Sequence, residues 1–130
     1  MLILTIRTDK PQAELGLYED QTQLTYISWE AHRQLAESIH LKIQEVLQDQ
    51  NCNLNDIRGI VIFMGPGSFT GLRIGAAVAN ALAASLAIPI AGTNGEDWLQ
   101  TGISNLKSGQ DDKIIIPEYG APARTTKPRK

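Results

Sequence analysis

The chain has 130 residues, a length that suits one domain around a single core, with roughly 65–68% of the unfolded surface buried at this size. Its 42% hydrophobic and 20% charged residues are those of an ordinary globular protein, and a net charge of −2 argues against a basic surface that coats nucleic acid. Cys52 is the only cysteine, which excludes an internal disulfide framework and fits a reducing, cytoplasmic setting; no signal peptide or membrane span is expected, because the apolar run of MLILTIR is too short and lacks a basic leader.

Residues 1–29 predict a β-meander. LILTI is an apolar run, AELGLY alternates, and QLTYISW is rich in β-branched and aromatic residues, with Asp9, Pro11 and Asp20 marking the turns. From Ala31 to Gln50 the period turns helical: Leu35, Ile39, Ile43, Val46 and Leu47 share one stripe, and Ser28 is the expected N-cap. GIVIFM then reads as a short strand buried on both faces. The alanine-rich stretch Thr70–Ala87 predicts a second helix, stopped by Pro89, which lacks a donor and biases Ile88 away from helix. PIAGT is a last short strand, and GEDWLQTGISNLKSG is a helix candidate interrupted by Gly102. KIIIPEYGAPARTTKPRK starts apolar, holds three prolines and predicts a docked extended segment with a disordered end. Arg124, Lys127, Arg129 and Lys130 supply four of the 12 basic residues, so an acidic body ends in a short basic tail, read as a solvated terminus or a phosphate contact. A meander feeding a β–α–β unit implies a mixed sheet covered by helices.

Between GIVIFM and the second helix stands GPGSFTGLRIG. A glycine-rich strand-to-helix turn admits two readings. Its free amides and the helix dipole suit an anion; equally, its glycines permit close packing while Ser68 or Thr70 caps the helix. No Lys-Ser or Lys-Thr pair follows, as a Walker A loop requires, and Gly65, Gly67 and Gly71 are one residue too widely spaced for a dinucleotide fingerprint. His32 and His40 are the only histidines, and eight residues apart on a helix they lie about 12 Å apart along its axis, too far to share a metal ion. Cys52 sits among amides with no sequence signal for a nucleophile.

GPGSFTGLRIG in full resembles the signature of the TsaB (YeaZ) family of bacterial threonylcarbamoyladenosine proteins. EAHRQLAESIHLKIQEVL is similar to the first long helix of that family, IPIAGTN to its next strand and turn, and IIPEYGAPA to a Pro-x-Tyr-Leu-Arg segment near its C-termini, with Gly120 in place of leucine. The resemblance implies an α/β fold: a single actin-like (ASKHA, ribonuclease H-like) domain over residues 1–108, with a mixed sheet, an antiparallel meander and two main helices, then an extended carboxy-terminal segment over 109–130. It further implies a non-catalytic subunit, without cofactor or metal, that activates a TsaD-type paralogue by heterodimerising with it. A TsaE-type ATPase joins through the complex, tRNA is reached indirectly, and a homodimer in isolation is allowed. The partner surface is expected on the two helices, at His32, Leu35, Ile39 and Ile43 and at Arg73, Ala77, Ala81 and Ala84. The signature loop Gly65, Pro66, Gly67, Ser68, Phe69, Thr70 and Gly71 is expected to set the start of the second helix. Two departures bear on chemistry. GTNGEDW lacks the histidines of TsaD-like enzymes, and Arg7-Thr8 stands where the fold usually has an Asp-Thr pair; a guanidinium has no acceptor for magnesium. The rival readings are a reduced actin-like ATPase or kinase with phosphate at the glycine loop, and a homodimeric binding module.

Overall fold

A computed structural model describes residues 1–119. The predicted basic tail lies outside the described residues. Strands β1 (Leu2–Arg7), β2 (Gln12–Glu19) and β3 (Thr22–Glu30) form the meander, and β4 (Gly59–Phe63) and β5 (Ile90–Thr93) complete one five-stranded sheet in the order β3-β2-β1-β4-β5. β1, β2 and β3 pair antiparallel, while β1–β4 and β4–β5 are parallel, so the sheet is mixed as the element order implied.

Alternation along the strands divides the core in two. Leu4, Ile6, Leu15, Leu17, Ile60 and Ile62 face helices α1 (Leu35–Asp49) and α2 (Phe69–Leu86), which bury Ile39, Ile43, Val46, Ala76, Ala79 and Ala83 against them. Ile3, Val61, Phe63 and Ala91 point the other way and are covered by α3 (Trp98–Lys107) through Trp98, Ile103 and Leu106. At about 25 cal/mol per Å² of apolar surface removed from water, these two layers are the main favourable contribution to the fold.

Several expectations change at the helices. Ser28 is a β3 residue and caps nothing; the chain reaches α1 through a 3₁₀ turn, His32–Gln34, because His32 takes a left-handed conformation (φ 48°) that no helix interior accepts. The candidate helix around Gly102 is continuous, giving a third helix, because Gly102 lies against Val61 where a β-carbon would collide with that side chain. At 18 residues α2 is long and apolar enough to cross a membrane by length and composition alone, contrary to the expectation that no segment is. Alanine makes it so, and one flank packs on the sheet.

After α3 the chain returns across the β5 edge. The Asp111 and Asp112 carboxylates accept from the amides of Ile90 (3.1 Å) and Gly92 (2.9 Å), and the Asp112 amide donates to the Ile90 carbonyl (2.9 Å). Ile115 is buried, and the Asn80 side chain holds both of its backbone groups: Oδ1 accepts from the Ile115 amide at 2.8 Å and Nδ2 donates to its carbonyl at 3.0 Å. Further on, the Glu118 amide donates to the Met64 carbonyl at 2.9 Å. Residues 110–119 thus form a strap along β5 and α2.

Candidate functional site

The glycine loop packs on the end of β1. The Ser68 amide donates to the Asp9 carbonyl (2.8 Å), and the Thr8 hydroxyl donates to the Gly71 carbonyl (2.8 Å). A β-carbon at Gly67 would run into Asp9, one at Gly71 into the Thr8 carbonyl, and one at Gly75 into the Thr8 hydroxyl. Gly65, at φ 119°, faces the Glu118 carbonyl of the strap. Ser68 caps α2, its Oγ accepting from the Gly71 amide at 3.3 Å. The space the glycines open is filled by the chain's own β1–β2 turn and strap. Pro66, Ser68, Phe69 and Thr70 are exposed at the surface of this seat.

Arg7 is half-buried at the end of β1. Its guanidinium makes a bidentate pair with the buried Asp9, Nε to Oδ1 at 2.8 Å and Nη2 to Oδ2 at 3.1 Å, and lies 3.9 Å from the centre of the Phe63 ring. The hydrogen bond it donates to Asp9 holds the guanidinium above its ordinary pKa, against the opposing effect of burial. An actin-like fold implies a nucleotide with its magnesium near the end of β1. The residues here do not fit that group: a cation replaces the carboxylate, the neighbouring carboxylate is consumed by it, and the glycine loop is occupied by Thr8 and Asp9. Among the described residues no three His, Cys, Asp or Glu side chains group closely enough to hold a metal ion.

The expected interface residues separate into two sets. Arg73, Ala77, Ala81 and Ala84 are all exposed on α2, along the flank opposite the sheet-facing Leu72, Ala76, Ala79 and Ala83. Leu35, Ile39 and Ile43 are buried under the sheet at 5%, 0% and 5% exposure and are not available to a partner. The reason is amphipathicity: the most apolar stripe of a surface helix goes to its own core. The outward face of α1 is instead Glu37, Leu41, Gln44 and Gln48, with Leu41 64% exposed. His32 is exposed on the 3₁₀ turn before α1, 3.6 Å from the Glu30 carboxylate. His40 stands on α1 beside a groove of about 350 Å³ toward α2, floored by Ile43, Leu47 and Leu82 and edged by the half-buried Cys52. Sequence reasoning missed Asn80, the strap's clamp. Its signal was an amide in the middle of an otherwise apolar, alanine-rich helix.

A family model described as TsaD, tRNA N6-adenosine threonylcarbamoyltransferase, matches residues 29–106. The chain is 32% identical over 125 residues to the tRNA threonylcarbamoyladenosine biosynthesis protein TsaB of Bacillus subtilis, covering 93% of this chain and 51% of that protein. It is also 32% identical over 94 residues to TsaB of Escherichia coli, covering 72% and 40% respectively. A tRNA N6-adenosine threonylcarbamoyltransferase of Geotalea uraniireducens is 41% identical over 64 residues, 49% of this chain and 19% of that protein. The chain thus spans about half, or less, of the curated relatives it matches. Among solved structures, YeaZ from Pseudomonas aeruginosa superposes with a TM-score of 0.68 at 22% identity, over 83% of this chain and 50% of that one. RuvC of Thermus thermophilus bound to a Holliday junction superposes at 0.54 and 12% identity, over 92% and 85%, which extends the likeness of fold to ribonuclease H-like proteins.

Proposed function

The chain belongs to the TsaD family, as a TsaB (YeaZ) protein of partial length, and from that premise we propose that it is a non-catalytic dimerisation and activation subunit in the making of threonylcarbamoyladenosine beside the anticodon of tRNA. One observation carries this reading. The exposed flank of α2, Ala77-Ala81-Ala84 following Arg73, is a low-relief apolar surface on a helix whose opposite flank is already committed to the sheet. Such a surface stores shape complementarity for another helix and offers no reactive group.

The chemistry belongs to a TsaD-type partner, which the unit spanning residues 1–108 holds through α2 and the outward face of α1. A TsaE-type ATPase and tRNA join the assembled pair. The closed pair of Arg7 with Asp9 and the filled glycine loop support this over a phosphate-binding role. The test is the solution mass of the full chain, alone and mixed with the TsaD-type protein of the same cell, by size exclusion with light scattering. A mixed complex is expected, and Ala81→Trp should abolish it while leaving the melting temperature unchanged, since Ala81 is exposed. A chain that ignores that partner, or a complex indifferent to Ala81→Trp, Ala77→Trp and Ala84→Trp together, refutes the assignment.

A further inference from the structure

Four of the seven large hydrophobic side chains exposed among the described residues are on the strap or at the start of α2: Phe69 (55%) and Tyr119 (37%), which meet there, and Ile114 (69%) and Ile116 (77%) further back along the strap. The Phe69 and Tyr119 rings lie 4.4 Å apart. Behind them runs a groove of about 410 Å³, with Arg73, Ala77 and Thr70 on its helix side and Ile115, Pro117 and Tyr119 on its strap side. Ile115 is buried on the groove side of the strap, whereas Ile116, which follows it, is exposed and does not line the groove. Among the described residues, Arg73 is the one charged residue lining the groove, and it is exposed. Its guanidinium lies 5.5 Å from the Phe69 ring, and among the described residues no carboxylate is within ion-pair distance of it.

Resting on the reading above, we propose that this strap–helix groove is a second half of the partner interface, and that it receives from the TsaD-type protein a helix bearing an apolar side chain with a carboxylate one turn away. The apolar walls call for a hydrophobic knob, and the unpaired guanidinium above them calls for an anion beside that knob. This chain carries an element of that kind on its own α1: Leu41, 64% exposed, is flanked by Glu37 and Glu45 one turn to either side. A protein of the same family has a helix equivalent to α1, because the family model spans it. The groove is continuous with the α2 flank through Arg73 and Ala77, so one partner spans both. The strap is therefore a recognition element as well as a cover for the sheet.

The experiment titrates the TsaD-type protein of the same cell into the full chain and into Arg73→Glu, Arg73→Gln, Tyr119→Ser and Ala81→Trp variants, with thermal melts to confirm that each is folded. Arg73→Glu and Tyr119→Ser are each expected to weaken binding about tenfold or more, and higher salt should weaken the parent more than Arg73→Gln. If Ala81→Trp breaks the complex while Arg73→Glu and Tyr119→Ser leave it unchanged, the groove inference is overturned and the partner assignment stands. If the parent chain does not bind at all, the assignment itself fails and the groove inference with it. If the groove variants alter only self-association of the chain, the occupant is a second copy, which also overturns the inference.

Discussion

Gly71→Ala separates a ligand cradle from a packing seat. The new β-carbon points at the Thr8 carbonyl oxygen, a backbone atom that cannot rotate away, because the Thr8 hydroxyl is bonded to Gly71 and the next residue's carbonyl to Ser68. Overpacking of this kind costs about 1–3 kcal/mol, and disturbing the Thr8–Gly71 hydrogen bond adds about 1 kcal/mol. Alanine returns up to about 1 kcal/mol of helix propensity, less in a first turn than in a helix interior. The net expectation is a loss of about 2 kcal/mol, or about 6–10 °C in melting temperature for a domain of this size. Circular dichroism melts and urea titrations of the parent and variant measure it. Gly95→Ala is the control: its φ is 82° and nothing lies within 4 Å of the added carbon, so only the backbone conformation is penalised, by about 1–2 kcal/mol. A Gly71→Ala protein that melts at or above the parent temperature would refute the packing account of the signature.

Arg7→Met removes the bidentate partner of buried Asp9 and its contact with Phe63, and should cost about 2–3 kcal/mol in urea unfolding; a loss below about 0.5 kcal/mol would show that the pair contributes nothing. Ala87 ends α2 at φ 56°, so Ala87→Gly should stabilise by about 0.5–1 kcal/mol, read as a rise in the urea midpoint. The amides of Ile90 and Lys113 hold the Asp111 carboxyl below its ordinary pKa. A depressed folded-state value gives stability that is present above the unfolded value and lost as pH falls through the folded one. The parent should therefore exceed Asp111→Asn in urea midpoint at pH 7, with the gap closing below about pH 4; a gap independent of pH would mean that the clip does not depend on charge.

The sheet and the two main helices were legible because their signals are periodic. Leu35, Ile39 and Ile43 recur every fourth residue, and GIVIFM has the continuous apolarity of a strand covered on both faces. The same regularity misled the assignment of the partner surface. A stripe apolar enough to be noticed is one the fold consumes, and Leu41, isolated among charged and amide residues, gives no periodic signal. Contacts between distant segments were beyond local reading: nothing in TIRTD foretells that Arg7 closes on Asp9, nor that Thr8 is the object GPGSFTG accommodates. Gly102 interrupted the predicted third helix because propensity counts against glycine, whereas its place against Val61 is decided by packing.

The two edges of the sheet differ in what they offer to a passing strand. Outward amides of β5 are already held by the carboxylates of Asp111 and Asp112, so a foreign strand must strip off two charged acceptors before it can pair. Lateral growth, and with it the hazard of edge-to-edge aggregation, is thereby confined to β3, whose exposed Thr22, Gln23, Ser28 and Glu30 give it a polar border. Removing both aspartates would open the apolar β5 side as a template, and the chain would become a molecule that can polymerise in two directions instead of one.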